Sequence, residues 1–323
     1  MPASRPKQIG FLLIPGFSLL SYASTIEPLR AANRLSGRTL YTWRHISTDD
    51  KAPTASSGLA VTADHKVGDD FDIDTIFVCA GGNPALFWQQ RTMNWLQTLA
   101  RRGVHIGGVS GGPYILARAG LLKGYRCTIH WEHMAAFREE FPGLDAHRTL
   151  YEIDRDRLTC AGGSAALDMM RAVIGGQHGP SLATQVSGWF LQTHLRLGSG
   201  PQRLSLRERY GTSNQNLLKA LEAMEASIEN PMSRRWLSQR AEVSIRQLER
   251  LFAAHLKTTI GAQYLKLRLD RARSLLQETA IPVLAVAVAC GFVSASHFSR
   301  AYKIQHGKTP KDERTTREPA YTR

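Results

Sequence analysis

The sequence predicts two domains of different class: a parallel α/β sandwich over residues 1–195 and an all-α module over residues 216–313, with a linker at 196–215. Three observations predict it. The first 195 residues alternate short apolar runs with helical patterns, which is how a sheet covered on both faces is encoded. The last third reads as helix throughout and repeats itself at a shift of 50 residues. Charge is shared unevenly: residues 1–195 carry 19 Lys and Arg against 16 Asp and Glu, residues 196–323 carry 22 against 11. At 323 residues, with 43% hydrophobic and 21% charged side chains, the chain has material for two cores. That composition excludes a mainly disordered chain or a disulfide-stapled miniprotein.

In order, Ile9–Ile14 is an apolar strand ended by Pro15-Gly16, and Tyr22–Asn33 reads as a helix. Tyr41–Ser47 is a strand. Thr75–Cys79 is a β-branched and aromatic strand that runs into Ala80-Gly81-Gly82. Phe87–Arg102 is helical, and Val104–Val109 is a strand followed by Ser110-Gly111-Gly112 and a helix to about Ala119. Leu158–Cys160 is a strand ending in Ala161-Gly162-Gly163, before another helix. In parallel sheets ligands sit beyond the carboxyl ends of the strands. Three glycine pairs at three strand ends therefore mark a pocket, because glycine permits tight turns and close backbone approach. Gly198-Ser199-Gly200-Pro201 breaks the pattern and opens the linker.

In the helical region, the 50-residue shift puts Val243-Ser244 on Val293-Ser294, Leu248 on Phe298, Arg250 on Arg300, Phe252 on Tyr302 and Thr259 on Thr309. Each copy is a short apolar helix, a turn and a second helix opening at a serine, a good N-cap. Gly291 supplies the turn of the second copy, where the first has Ala241. This is a helix-turn-helix occurring twice, with a long helix, about Gly261–Gln277, between the copies. The second helix of such a motif enters the major groove of DNA and meets base edges with its N-terminal residues. The candidates are Ser244, Arg246, Gln247 and Arg250 in the first copy and Ser294, Ser296, His297 and Arg300 in the second. Arg reads guanine and Gln reads adenine bidentately. Leu248, Phe252, Phe298 and Tyr302 are expected in the core. Arg234, Arg235, Lys257, Arg271 and Arg273 are candidates for phosphate contacts, which are salt-dependent but carry no sequence information.

The four cysteines, Cys79, Cys127, Cys160 and Cys290, have no Cys-x-x-Cys spacing and sit in apolar surroundings. They read as reduced thiols, with no disulfide frame and no zinc site. No cofactor or metal is expected. No run approaches the roughly 18 apolar residues of a membrane span. Arg5 and Lys7 before the first apolar run imitate a secretion signal, but Pro15 and Gly16 interrupt it, so a buried strand and a cytoplasmic protein are expected. Residues 314–323 read as a polar disordered tail.

The run from Ile281-Pro282-Val283-Leu284-Ala285 through Cys290-Gly291-Phe292 to Ser296-His297-Phe298-Ser299-Arg300-Ala301-Tyr302, closed by Gly307-Lys308-Thr309-Pro310, resembles the signature of the AraC family of transcription regulators. Other stretches resemble the PfpI-type, class I glutamine amidotransferase-like domain found in the GlxA-like subgroup of that family. They are Gly10-Phe11-Leu12-Leu13-Ile14-Pro15-Gly16-Phe17, Glu27-Pro28-Leu29-Arg30, Leu116-Ala117-Arg118-Ala119-Gly120-Leu121-Leu122 with Thr128-Ile129-His130-Trp131-Glu132, and Cys160-Ala161-Gly162-Gly163-Ser164-Ala165-Ala166-Leu167-Asp168. The resemblance implies a flavodoxin-like, amidotransferase-like N-terminal fold. It also implies a sequence-specific regulator, an activator as most of the family are, that acts on double-stranded DNA as a homodimer and works with RNA polymerase. Subgroup members controlling catabolism of glycine betaine, carnitine or arginine look most alike, which implies a small nitrogenous effector and no membrane partner.

The turn Val109-Ser110-Gly111-Gly112 has the shape of a nucleophile elbow, with the following amides as possible oxyanion donors. Enzymes of the resembling domain place a cysteine at this position, with a His and a Glu near it; here Ser110 replaces the thiol, and His130 and Glu27 match the partner positions. Serine is a far poorer nucleophile without a base. A retired active site serving as an effector pocket is the expectation, lined by Glu27, Ser110, His130 and the backbone of Gly81, Gly82 and Gly111, with Trp88 and Trp131 as aromatic faces. A carboxylate beside an aromatic face suits a quaternary ammonium. The alternative is a PfpI-type amidase or lyase-like enzyme with a DNA-binding appendage.

Overall fold

The computed structural model describes residues 5–279 and 281–315. They form two compact units, one ending at Gln202 and the other beginning at Arg203.

The first unit runs β1 (Lys7–Leu13), α1 (Leu19–Ser36), β2 (Tyr41–Ser47), β3 (His65–Lys66), β4 (Thr75–Ala80), α2 (Gln90–Arg101), β5 (His105–Ser110), α3 (Gly112–Arg118), β6 (Arg126–Thr128), α4 (Met134–Glu140), β7 (Asp145–His147), β8 (Tyr151–Asp154), β9 (Arg157–Cys160), α5 (Ala165–His178) and α6 (Pro180–Trp189). Seven strands form one sheet in the order β3-β2-β1-β4-β5-β9-β8. All neighbours are parallel except β8, which runs antiparallel to β9 at the edge. β6 and β7 pair separately.

The sheet separates two cores by the two-residue period of its strands. Ile9, Phe11 and Leu13 of β1 join Phe77, Cys79 and Val109 beneath α1 and α5, whereas Leu12 joins Ile76, Val78 and Ile106 beneath α2 and α3. The expected flavodoxin-like sandwich is the fold observed. The helix expected from Phe87 starts at Gln90, because Asn83 first caps a single turn over Pro84–Leu86 by accepting the Ala85 N–H at 3.1 Å. The strands β3, β6, β7 and β8, two to four residues each, are too short for alternation to reveal.

Residues 196–215 do not behave as one linker. Asp168 of α5, fully buried, accepts hydrogen bonds from Gln192 Nε2 (2.7 Å) and Arg196 Nε (2.9 Å). Gln202 Nε2 donates to the carbonyls of Ile129 (3.0 Å) and Thr149 (2.7 Å). Residues 196–202 are thus tied to the first unit, while Leu206–Tyr210 is already helix α7 of the second. There Ser205 and Glu208 form a capping box, and Arg209 pairs with Glu225 through two bonds of 2.8 and 2.9 Å.

The second unit continues with α8 (Gln215–Ala226), α9 (Arg234–Arg240), α10 (Ile245–Leu251), α11 (Ile260–Glu278), α12 (Val283–Ala289), α13 (Ala295–His306) and α14 (Pro310–Thr315). The two helix-turn-helix pairs are α9–α10 and α12–α13. Leu248, Phe252, Phe298 and Tyr302 are fully buried, as the pattern requires. The turns are not equivalent. In the second, Gly291 takes the left-handed conformation (φ +75°), and a β-carbon there would stand 2.6 Å from Pro231 Cδ. In the first, Ala241 is ordinary α backbone, and the left-handed residue is Glu242 (φ +57°). The first turn is therefore one residue shorter between its helix end and its serine cap. Residues 311–315, polar in sequence, belong to α14, where Glu313 is buried. Of the expected tail 314–323, residues 316–323 lie outside the described residues.

Candidate functional site

In the first unit the elbow forms where β4, β5 and β9 end. Ser110 closes β5 opposite Ala80 with φ +60°, a left-handed conformation that costs a non-glycine residue about 1–2 kcal/mol, and it is 7% exposed. The Gly111 N–H, offered by the sequence as an oxyanion donor, donates instead to the Ala80 carbonyl at 3.0 Å. On the other side a β-carbon on Gly112 would collide with the carbonyl of Val78, so this glycine lets α3 lie against β4. Gly81 likewise seats the loop at Gly16–Ser18, whose backbone atoms a β-carbon would meet at 2.8 Å, while Gly82 is exposed. Gly81 and Gly112 thus serve close packing at the strand ends.

His130 reaches the elbow through its backbone: its N–H lies 3.4 Å from the Ser110 carbonyl. Its ring sits beside Trp131 (centroids 5.3 Å) and His133 (5.8 Å), and its Nδ1 is 3.7 Å from Glu132 Oε2. Burial lowers its pKa to about 4, with His133 adding to the shift and Glu132 opposing it, so the imidazole is neutral near pH 7.

Glu27 is not at the elbow. Its carboxylate is 40% exposed and pairs with Arg30 at 2.6 Å, one turn along α1. The residue of α1 at the elbow is Ser21, six positions earlier, about 9 Å along the axis and on another face. Buried Ser21 Oγ accepts the Gly163 N–H at 2.7 Å. Glu27 is thus a partly exposed, ion-paired carboxylate rather than a buried pocket group. Trp88 is 68% exposed, with the Arg118 guanidinium 4.9 Å from its ring centroid, so the protein's own cation already occupies one face. Trp131 is 43% exposed. A separate cleft of about 380 Å³ opens at the ends of β2 and β3, lined by Asp49, Asp50, Asp64, His65, Lys66 and Asp69. Sequence reasoning missed it, because its residues come from polar loops without a motif. Ser21 and His133 were missed for the same reason: nothing local marks a helix serine, or a histidine two residues past the matched Trp131.

In the second unit the caps hold as expected. Ser244 Oγ accepts the Gln247 N–H (3.2 Å) while Gln247 Oε1 accepts the Ser244 N–H (2.9 Å). The side-chain oxygen of Gln247 is thus engaged in the helix start. Arg246 and Arg250 are exposed on α10, and Ser296, His297 and Arg300 on α13. Ser294, half-buried, shares its hydroxyl with Ser296 (2.9 Å) and the His297 N–H (3.4 Å). Arg268 braces the second turn from behind, donating to the carbonyls of Cys290 and Gly291 (both 2.8 Å) with its guanidinium 4.0 Å from the Phe292 ring centroid. Arg273 is turned toward buried Glu313 (3.8 Å) rather than being an unpaired surface cation.

Residues 7–175 match the DJ-1/PfpI family, and residues 237–316 match a helix-turn-helix domain family. The HTH-type transcriptional regulator GbdR of Pseudomonas aeruginosa is 43% identical over 309 residues, 96% of this chain and 84% of that protein. The HTH-type transcriptional regulator GlxA of Rhizobium meliloti is 42% identical over 306 residues, 94% of each. An AraC family transcriptional regulator from Pseudomonas putida, solved by crystallography, superposes with a TM-score of 0.51 at 26% identity, covering 57% of this chain and all of that one. A duplicated helix-turn-helix with exposed basic recognition helices, an elbow sandwich before it, and full-length regulator relatives agree: the chain belongs to the AraC-type DNA-binding transcription regulators that carry an N-terminal DJ-1/PfpI domain.

Proposed function

We propose that the protein is an effector-responsive activator, working as a homodimer in the cytoplasm with RNA polymerase, and that its first unit senses a small nitrogenous metabolite at the elbow of Ser110. The observation that carries the reading is the elbow itself, a strained, buried turn whose oxyanion-type amide is already bonded to Ala80. Its imidazole faces Trp131, Glu132 and His133. On this reading the turn keeps the shape of a catalytic pocket but serves binding, because a serine is a far poorer nucleophile than a cysteine unless a base activates it. Ser21, Ser110, His130 and Trp131 form the candidate pocket; Glu27, Gly81, Gly82 and Trp88 stand at its margins or outside it, and Gly111 is structural.

α10 and α13 enter successive major grooves, with Arg246, Arg250 and Arg300 reading bases and Ser296 and His297 adapting to them. No helix among the described residues is long and apolar enough to cross a membrane.

The test is a thermal-shift panel of glycine betaine, carnitine, choline, dimethylglycine, arginine and ornithine. A ligand at about 100 times its dissociation constant stabilises the native state by roughly 2.7 kcal/mol. The expected result is one clear hit, lost when Ser110→Trp fills the elbow. Silence across the panel removes the nitrogenous effector. Turnover of the hit, abolished by Ser110→Ala, would replace the sensor with the amidase or lyase-like enzyme.

A further inference from the structure

We propose that His130, Glu132 and His133 form a binding site for one divalent transition-metal ion of the Zn²⁺ class, at the carboxyl end of the sheet beside the elbow. One ligand atom from each residue lies within 4.8 Å of the other two, and His130 Nδ1 and Glu132 Oε2 are 3.7 Å apart. Zinc bonds imidazole nitrogen at about 2.0–2.1 Å, so tetrahedral ligand atoms stand roughly 3.3–3.5 Å apart. Small side-chain rotations close that gap.

The backbone holds the three residues in place before any ion arrives. The carbonyl of His130 accepts the N–H groups of His133 (3.0 Å) and Met134 (3.2 Å), which winds the segment into the turn that starts α4. His130 and His133 are three positions apart, so this turn brings their side chains to one side. The N–H of His130 points to the Ser110 carbonyl, which ties the turn to the sheet. His133 is buried, whereas Glu132 is half exposed and gives the ion a route from solvent.

The donor set selects the metal class. Two imidazoles favour Zn²⁺ and its transition-metal neighbours over Mg²⁺ or Ca²⁺, which take oxygen ligands. Two imidazoles and one carboxylate fill three positions of a tetrahedron and leave the fourth for water or a ligand's anionic group. The cysteines, whose spacing led the sequence to exclude a zinc site, are all buried elsewhere. The site is invisible to a search by thiol spacing because it uses none of them.

The experiment uses the full chain, stripped with a chelator and titrated with Zn²⁺ and Co²⁺, without effector or DNA, so its outcome is independent of the effector reading. One ion per chain is expected by calorimetry and elemental analysis, with a cobalt spectrum free of the intense sulfur-to-metal absorption. E132Q, an isosteric change at a half-exposed side chain whose folding is checked by the thermal transition of the metal-free chain, should weaken binding at least about tenfold. H130A and H133A should abolish it. No uptake by the full chain, uptake that E132Q leaves unchanged, or sulfur ligation would each overturn the proposal.

Discussion

Ser21 and Ser110 meet across Gly162: a β-carbon on that glycine would stand 2.8 Å from Ser21 Oγ and 2.7 Å from Ser110 Cβ. The first helix and the fifth strand are brought within one side chain of each other by a residue from the end of β9. Gly162 also has φ +90°, where L side chains are rarely found. Gly162→Ala therefore combines backbone strain with a collision at the elbow. It is expected to destabilise the first unit by at least about 2 kcal/mol and to abolish the effector's thermal shift. Denaturant unfolding of the full chain, followed through the transition of the first unit, checks it. An unchanged midpoint would mean that α1 and β5 yield freely and that the elbow is not a rigid pocket.

The segment after α6 is anchored at its start by one buried carboxylate. Asp168 is fully buried and holds Gln192 and Arg196 after α6 has ended. Asp168→Ala leaves both donors without their acceptor, at an expected cost of about 2–4 kcal/mol. Residues 190–202 should also become sensitive to limited proteolysis before the sheet does. A variant as protease-resistant as the parent would show that backbone bonds alone, such as Leu150 N–H to the Gly198 carbonyl at 2.7 Å, hold the segment.

These two sites also show what the sequence disclosed and what it hid. The long strands were readable because Ile9, Phe11 and Leu13 bury one face and Leu12 the other, a period the residues themselves carry. The helix-turn-helix pair was readable because duplication repeats its core at a fixed shift. The elbow was readable as a turn, but not as a set of partners. Which residue of α1 faces Ser110 depends on where that helix lies across the sheet. Glu27 and Ser21 look equally placed until it does. Asp168 draws its partners from Gln192 and Arg196, just where the sequence pattern runs out into the predicted linker, and hydrogen bonds to a buried carboxylate leave no periodic trace.

The last helix is held by a carboxylate that ought to resist ionisation. Burial alone would push the Glu313 carboxyl up, but bonds from Gln277 Nε2 (2.7 Å) and Lys308 Nζ (3.1 Å) outweigh it and hold its pKa below the usual carboxylate range. A carboxyl depressed in the folded state contributes stability above its unfolded pKa of about 4.5 and loses it as pH falls further. The second unit should therefore loosen around α14 on acidification below that value. Glu313→Gln should be less stable at neutral pH and show a flatter acid limb. Parallel acid limbs in parent and variant, read by urea midpoints from pH 7 to 3, would remove Glu313 as the titrating group.

Arg246 and Gln247 are neighbours on α10 with different work to do. Gln247 Oε1 is bonded to the Ser244 N–H, and bidentate recognition of adenine needs that same oxygen. Gln247 is therefore a positioning residue that fixes the start of the helix, while exposed Arg246 projects beside it with no ion pair among the described residues. Arg246→Ala is expected to reduce preference for the operator over random DNA by about 1–3 kcal/mol. Gln247→Ala should instead lower the stability of the second unit by about 0.5–1 kcal/mol and weaken specific and non-specific binding alike. Gln247→Glu, which can rebuild the capping box, should restore stability while still failing to read adenine. Equilibrium binding of the three variants to operator and scrambled duplexes, at two salt concentrations, separates the roles. If Gln247→Ala alone relaxes specificity at one base pair with stability unchanged, the capping bond opens on DNA and the assignment of the two residues reverses.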